Sequence, residues 1–274
     1  MDQLDLTIET GEFFGLLGPN GAGKTTTISM LSTVLLPTSG EIRIDGMKLD
    51  RRASAVKRKL SVITQEYSMR QDMTMDEVME YQGRLYYMKK KEILEKSAEL
   101  LEFAGLSDVR HRVVRHLSGG MKRKLMICRA LMTDPEIILL DEPTAGMDAI
   151  SRRQMWNLLR QLHARGITIL LTTHYIDEAQ FLCERVALID RGKLDTIDTP
   201  EALIDALGPY TVETSSEDDL VCRYFHTRED AIEYLKKLDA GGAGVADTGD
   251  SATLRNTTLE DVFVERIGRR LNQK

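Results

Sequence analysis

The feature that most constrains the fold is a loop at residues 18–25, which fits the phosphate-binding pattern G-x-x-x-x-G-K-[ST] at every fixed position. Its residues are Gly18, Pro19, Asn20, Gly21, Ala22, Gly23, Lys24 and Thr25, and Thr26 follows directly. The apolar residues 13–17 before the loop predict a buried strand, and residues 26–31 predict the start of a helix. A strand, a loop and a helix in this order indicate an α/β core with the loop at a strand end.

The residue types in this loop suit a nucleoside triphosphate. Glycines at positions 18, 21 and 23 let the backbone turn sharply and point its N–H groups inward. Lys24 is then placed to reach the β- and γ-phosphates, and the hydroxyl of Thr25 to ligate Mg²⁺. The loop therefore predicts a Mg²⁺-bound nucleotide as its ligand.

A second anion site is predicted by the peptide Leu-Ser-Gly-Gly-Met at residues 117–121. Ser118, Gly119 and Gly120 begin an apolar helix, so they offer a hydroxyl, free N–H groups and the positive end of the helix to an anion. Because the first phosphate cradle lies elsewhere in the chain, we expect this anion to be the phosphate of a second site.

An acidic pair, Asp141 and Glu142, ends the apolar run at residues 137–140. A carboxylate at a strand end, beside a metal-bound triphosphate, is what attack by water requires. Together with the phosphate loop and the Ser-Gly-Gly peptide, this pair resembles the ATP-binding cassette, the nucleotide-hydrolysing subunit of ABC transporters. The resemblance implies that ATP is the nucleotide, that Asp141 holds Mg²⁺ through water, and that Glu142 is the base that aligns the attacking water.

Two further polar residues, Gln65 and His174, follow apolar strands, where open α/β sheets place their sites. Gln65 matches the family's glutamine loop, which implies contact with Mg²⁺ or water and a link to a helical subdomain. His174 matches the switch histidine, which implies a hydrogen bond to the γ-phosphate. Asp148 is predicted to cap the helix through residue 156, and the resemblance adds contact with a partner cassette.

Two departures from the family pattern stand out. The signature peptide ends in Met121, where many relatives have Gln; the phosphate-facing Ser-Gly-Gly is intact. Residues 4–8 alternate as a predicted strand, and no aromatic residue precedes Phe13. Since Phe13 and Phe14 lie in the predicted core strand, we expect the aromatic platform that stacks on adenine to be absent.

The resemblance implies a P-loop NTPase core, a mostly parallel sheet with flanking helices, over residues 1–205. A helical subdomain is expected at about 66–135, where residues 74–77 form a capping box. Tyr81, Tyr86 and Tyr87 are predicted to pack inside this subdomain, and residues 89–91 to form a solvated hinge. In ABC transporters such an insert grips the coupling helices of a membrane subunit.

Residues 206–274 are expected to form a small α+β accessory domain. Two strands are predicted within residues 209–225, a helix at 228–238 and a loop at 239–250. A final amphipathic helix carries its apolar face on Leu259, Val262, Phe263, Ile267 and Leu271. This ending resembles the tail of drug- and polyketide-exporter cassettes, whose permease is a separate six-span protein; a generic dimer-packing helix is the alternative.

Charge and cysteine content narrow the function classes. The net charge of −6 argues against a nucleic-acid partner, which needs a basic face. Three widely spaced cysteines without C-x-x-C predict reduced thiols rather than a metal site. No apolar run approaches the length of a membrane span. We therefore expect a cytoplasmic protein, and the resemblance implies that it is peripheral on the inner face of the cell membrane.

The sequence thus predicts the ATPase subunit of an ABC exporter. The resemblance implies a head-to-tail homodimer, or a paired cassette, with each ATP between one phosphate loop and the partner's Ser-Gly-Gly peptide. Closure of this dimer would act on a separate transmembrane permease. Two alternatives remain: a cassette ATPase not linked to transport, and a cassette that hydrolyses ATP poorly because its first strand is missing.

Overall fold

The computed structural model describes residues 1–215, 220–240 and 251–268. Its strands are β1 (Phe13–Leu17), β2 (Arg43–Ile44), β3 (Met47–Lys48), β4 (Leu60–Ile63), β5 (Ile137–Asp141), β6 (Thr168–Thr173), β7 (Arg185–Asp190), β8 (Lys193–Asp198), β9 (Tyr210–Ser215), β10 (Leu220–Phe225) and β11 (Ser251–Asn256). Its α-helices are α1 (Lys24–Leu31), α2 (Ser54–Arg58), α3 (Met75–Leu85), α4 (Lys90–Phe103), α5 (Gly119–Leu131), α6 (Ala149–His163), α7 (Ile176–Leu182), α8 (Pro200–Leu207), α9 (Arg228–Ala240) and α10 (Leu259–Phe263). A π-helical turn, Val264–Gly268, continues α10.

The main sheet has six strands in the order β4-β5-β6-β1-β7-β8. All neighbours pair in parallel except β8, which is antiparallel to β7. Strands β1 and β6 are buried along their whole length, as expected for parallel strands covered on both faces. The predicted mostly parallel α/β core is therefore confirmed.

The parallel register brings the carboxyl ends of four strands to one edge of the sheet. Leu17 aligns with Thr173, and Asp141 aligns with Thr172. The segments that follow β1, β4, β5 and β6 carry the phosphate loop, Gln65, Glu142 and His174. Motifs that are far apart in the sequence are thereby brought together at one edge of the sheet.

The helices α3, α4 and α5 lie between β4 and β5 in the chain and share the largest apolar cluster with one face of the sheet. The predicted capping box at Thr74 and Glu77 is present at the start of α3. The prediction that Tyr81, Tyr86 and Tyr87 pack inside is wrong, because they are 51%, 52% and 96% exposed.

The expected hinge at residues 89–91 is also wrong in part. Lys89 occupies the N-cap position of α4 without a capping bond from its side chain, and Lys90 and Lys91 begin the first turn. Lys91 pairs with Glu95 one turn farther along, so its side chain supports the helix rather than a flexible link.

The predicted strand at residues 4–8 does not form. Leu4, Leu6 and Ile8 are half-buried and alternate with exposed residues, and Leu6 and Ile8 pack on the sheet face that holds Phe14. In the described part of the chain, however, this segment belongs to no strand ladder. Alternating burial alone does not make a strand, which needs backbone partners.

The C-terminal segment forms a three-stranded antiparallel sheet in the order β10-β9-β11, with α9 packed beside it. The two predicted strands and the helix are confirmed, whereas β11 was not predicted and α9 extends to Ala240. Residues 241–250 of the predicted loop, and Leu271, lie outside the described residues.

Helix α10 fixes this segment to the core. Leu259, Val262 and Ile267 are buried in one cluster with Leu17 and Leu188 of the main sheet. The predicted apolar face of the last helix therefore packs within its own chain. Every helix in the described ranges is too short or too polar to cross a bilayer.

Candidate active site

The phosphate loop joins β1 to α1 and owes its shape to its glycines. Gly21 and Gly23 have φ angles of 81° and 110°, a region that favours glycine. A Cβ atom at Gly18 would lie 2.3 Å from the carbonyl oxygen of Ile189. Because α1 begins at Lys24, its first N–H groups lie at the loop and are available to an anion.

Lys24 is held inside the loop. Its Nζ donates hydrogen bonds to the carbonyl oxygens of Gly18 at 2.8 Å and Pro19 at 3.2 Å. The same Nζ lies 3.3 Å from Oε1 of Glu142. With the lysine 5% and the glutamate 11% exposed, this ion pair is largely shielded from water.

Oxygen ligands suited to Mg²⁺ meet beside the lysine. The Thr25 hydroxyl donates to Oδ1 of Asp141 at 3.3 Å, and the Thr172 hydroxyl donates to the same oxygen at 2.6 Å. Asp141 is buried, and Gln65 lines the adjoining cavity. A hydroxyl, a carboxylate and an amide oxygen fit the preference of Mg²⁺ for hard oxygen ligands.

Glu142 lies between Lys24 and His174. Its Oε2 is 3.1 Å from Nδ1 of His174. Its backbone N–H donates to the carbonyl oxygen of Thr172 at 3.0 Å, and its φ of 47° is uncommon for a residue other than glycine. The backbone turn after β5 thus points this carboxylate away from the strand and toward the loop.

A cavity of about 480 Å³ joins these groups. Its lining residues are Asn20, Gly21, Gly23, Lys24, Thr25, Thr26, Gln65, Glu142, Ala145, Gly146, His174 and Tyr175. Most of the predicted site residues therefore lie around one space. Ser118, Gly119, Gly120 and Asp148 are not among the lining residues, so one chain does not bring both predicted phosphate sites together.

The predicted signature peptide lies at the exposed start of α5. Ser118 is the N-cap residue, and its Oγ accepts a hydrogen bond from the N–H of Met121 at 3.2 Å. Ser118 and Gly119 are exposed. The helix therefore presents its N-terminal N–H groups at the surface of the molecule.

A sequence model of the family described as "ABC transporter" matches residues 1–145, more than half of the chain. The chain belongs to the ABC transporter family. Family membership confirms the predicted cassette fold and the predicted ATPase subunit of an ABC transporter.

Two curated relatives and one solved structure illustrate the similarity. The Nod factor export ATP-binding protein I of Cupriavidus metallidurans is 36% identical, with 99% of this chain and 93% of the relative covered. The daunorubicin/doxorubicin resistance ATP-binding protein of Streptomyces peucetius is 41% identical, with 76% of this chain and 63% of the relative covered. These relatives confirm the resemblance to cassettes of the drug-exporter type.

The solved structure is a dimeric ATP-binding cassette in a post-hydrolysis state, bound to ADP and Pi. It matches with a TM-score of 0.64 and 30% identity, over 71% of this chain and 88% of that chain.

Asp148 caps helix α6 of the cassette, as predicted. Its Oδ1 accepts hydrogen bonds from the N–H groups of Ile150 at 3.0 Å and Ser151 at 2.9 Å. The hydroxyl of Ser151 also donates to Oδ2 at 2.7 Å. The hydrogen bonds from Ser151 hold the pKa of Asp148 below its usual range, so this cap is a carboxylate.

The aromatic residues of β1 do not reach the cassette's cavity. Phe13 and Phe14 are fully buried in the sheet, as predicted, and neither can stack on a base. Tyr175 is the aromatic residue among the cavity's lining residues, next to His174. Its ring lies 4.1 Å from the His174 ring and 4.2 Å from the guanidinium carbon of Arg152, so the tyrosine is held in place.

Sequence reasoning missed two buried polar residues behind the site. Thr172 holds Asp141 and the backbone of Glu142, and its only signal was a polar residue at the end of an apolar strand. Glu178 of α7 is fully buried, and its Oε1 accepts hydrogen bonds from Thr144 at 2.8 Å and from Trp156 at 2.9 Å. Burial raises the pKa of Glu178.

Proposed function

We propose that this cassette binds Mg²⁺-ATP in the cavity around Lys24 and hydrolyses it with Glu142 as the base. The observation that carries the proposal is the meeting of Lys24, Glu142 and His174 within 3.3 Å of one another along a chain of contacts. A cation for the phosphates, a carboxylate for water and a polarisable imidazole ring on the far side of that carboxylate are groups that suit phosphoryl transfer to water.

Thr25, Gln65 and Asp141 would hold Mg²⁺, which when bound neutralises charge on the β- and γ-phosphates. The N–H groups of residues 21–25 and the ammonium of Lys24 orient the phosphate chain. Glu142 accepts a proton from the attacking water, and His174 holds the γ-phosphate end of the cavity. The Thr172 hydroxyl donates to the Asp141 carboxylate and accepts from the Glu142 N–H, so it fixes the positions of both acidic residues.

Two copies are proposed to close head to tail over two nucleotides. The exposed position of Ser118, outside its own cavity and at the start of a 13-residue helix, supports a role toward a partner's phosphate. The dimeric form of the solved relative supports the same arrangement. Asp148, near Ser151 and Gly120, lies on the surface that would face the partner.

The membrane subunit is proposed to dock on the exposed side chains of α3 and the turn after it. These are Tyr81, Leu85, Tyr86 and Tyr87, each more than half exposed. Exposed tyrosines close to an exposed leucine are typical of interface residues. The name of the Nod factor export relative supports export as the direction of transport. We propose that the cassette lies on the cytoplasmic face of the membrane.

If the neighbouring gene encodes a membrane protein, co-purification with that protein tests this function. The double variant Tyr81→Glu with Tyr87→Glu should release the cassette from membranes that contain that protein, because docking would then bury two carboxylates. ATP binding should stay unchanged, since neither residue lines the cavity.

Leu94→Glu on the neighbouring helix is the control, because it adds one such charge at a site that is also about half exposed. This control should remain bound to the membranes. Retention of the tyrosine variant on those membranes would contradict the proposed docking surface. ATP turnover without any association to the membrane protein would favour a cassette ATPase not linked to transport.

A further inference from the structure

Arg123 is a buried charge that the proposed chemistry does not use. It lies in α5, five residues after Ser118, and is 2% exposed. Its Nη1 donates to the carbonyl oxygen of Thr64 at 2.6 Å, and its Nη2 donates to the carbonyl oxygen of Gln65 at 2.8 Å. The signature helix is thereby bonded to the backbone of the glutamine loop.

A second contact joins the same two segments. The Tyr67 hydroxyl donates to the carbonyl oxygen of Gly119 at 3.2 Å. The guanidinium carbon of Arg123 lies 5.4 Å from the centre of the Tyr67 ring. The glutamine loop is thus bonded to the first turns of α5 in two directions. Arg123 of the helix bonds to carbonyl oxygens of the loop, and Tyr67 of the loop bonds to a carbonyl oxygen of the helix.

The burial of Arg123 is costly, and the cost argues for more than packing. Desolvation lowers the pKa of its guanidinium, although Tyr67 and Asp141 favour the charged form. Its Nε has no hydrogen-bond partner in the part of the chain that the structure describes. An apolar side chain of the same length would fill the space without this penalty, so the two carbonyl bonds are the distinctive contribution.

We propose that Arg123 is a positioning residue that couples the two nucleotide sites of the closed dimer. The inference rests on the proposed function, in which Gln65 serves the site of its own chain and Ser118 serves the partner's site. Arg123 fixes the backbone of Gln65 relative to the helix that begins at Ser118. A shift of Gln65 toward its own nucleotide therefore moves the surface that meets the partner's nucleotide.

A merely structural arginine makes a different prediction from a coupling arginine. If Arg123 only satisfied the two carbonyl groups after β4, the loss of Arg123 and the loss of the Gln65 amide would act independently, and their fold-changes would multiply. If Arg123 transmits the position of Gln65, either substitution alone already breaks the coupling, so adding the other substitution should have little further effect. A double-mutant cycle between the two residues separates these cases.

The cycle is measured on the full chain carrying Glu142→Gln, which keeps ATP intact. The readout is the ATP concentration that gives half-maximal dimer by analytical ultracentrifugation. Gln65→Ala and Arg123→Met should each raise it about fivefold, and the double variant should lie within about twofold of either single variant. Arg123→Lys should recover part of the loss, because an ammonium can still donate to one of the two carbonyls.

Lys124→Gln is the matched control, since it removes a cation from the same turn of α5, where Lys124 faces Gln154. It should stay within about twofold of the parent. Tyr67→Phe gives a second route if Arg123→Met does not fold, because it removes only a hydroxyl from a 40% exposed side chain. It should shift the same readout by about threefold and be non-additive with Gln65→Ala.

A multiplicative double variant, at about 25-fold, would overturn the coupling. An Arg123→Met protein that needs the same ATP concentration for half-maximal dimer as its parent would also overturn the coupling. If the parent chain binds ATP but never dimerises, the proposed function itself fails, and the inference fails with it.

Discussion

Replacing Glu142 with Gln should tighten ATP binding while it stops hydrolysis. In the structure, Oε1 of Glu142 lies 3.3 Å from Nζ of Lys24, and Oε2 lies 3.1 Å from His174. The phosphates of ATP must therefore compete with Glu142 for the ammonium group. A neutral amide of the same size removes this competitor and the repulsion between a carboxylate and the triphosphate.

The size of the effect follows from the Lys24–Glu142 contact. A hydrogen bond to a charged group is worth about 1.5–3 kcal/mol. Because 3.3 Å is a long separation and Lys24 keeps two backbone carbonyls, we take the lower end of that range. About 1.5 kcal/mol corresponds to about a tenfold lower Kd for ATP. Loss of the base should lower turnover by about 10²-fold or more.

Calorimetric titration with Mg²⁺-ATP gives the Kd, and steady-state phosphate release gives the turnover. Glu136→Gln is the matched control, because Glu136 directly precedes β5, at the end opposite to Glu142, is exposed, and pairs with Lys59. Both parameters of the control should equal those of the wild type. A Glu142→Gln protein with Kd within twofold and turnover within threefold of wild type would refute the assigned role.

Three other outcomes follow from the structure. Since no aromatic residue of β1 reaches the cavity, competition titration should give ATP and GTP dissociation constants within about tenfold, or about 1.4 kcal/mol; a preference above about a hundredfold would mean that another residue recognises the base. Burial raises the pKa of Glu178, so above the ordinary glutamate pKa of about 4.3 the folded state keeps a proton that the unfolded chain has lost, and stability should fall as the pH rises from there toward the raised pKa. Glu178→Gln should flatten that slope in thermal melts, and an unchanged slope would contradict a buried neutral acid. Gly15→Ala should cost about 1–3 kcal/mol in urea unfolding, because its Cβ would lie 2.7 Å from Sγ of Cys183; an unchanged midpoint would show that α7 yields easily.

The meeting of the candidate site residues at one edge of the sheet could be predicted from the sequence, because each of these residues has a defined type and a defined place relative to a strand. Lys24, Asp141 and His174 each follow or end an apolar strand, and parallel pairing places such ends at one edge. The capping roles of Thr74 and Asp148 were equally local, because a cap is decided by its own first turn.

Features that depend on distant partners escaped prediction. Arg123 and Glu178 are charged residue types that sequence rules place at the surface, and only the fold supplies the carbonyls and donors that bury them. Strand β11 is polar and pairs with β9 across a long intervening segment. The exposure of Tyr87 was missed because this residue lies in the turn after α3, where the helical spacing no longer decides which way a side chain faces.

The central claim is that each active site combines the phosphate loop of one chain with the Ser-Gly-Gly peptide of another. Lys24→Ala should weaken ATP binding, and Ser118→Arg should leave binding to the monomer nearly unchanged but block nucleotide-dependent dimerisation, so neither variant alone should release phosphate. In a mixed dimer of the two, one site carries both lesions and the other site is intact.

The decisive measurement is phosphate release from an equal mixture of the Lys24→Ala and Ser118→Arg chains. A head-to-tail dimer predicts recovery of up to about a quarter of the wild-type sites, because random pairing of the chains makes half of the pairs mixed and each mixed pair holds one intact site. In a control mixture of wild type with a chain that carries both substitutions, the mixed dimers hold no intact site, so phosphate release should come from the wild-type homodimers alone. No recovery in the first mixture, with both variants folded, would contradict an active site shared between two chains.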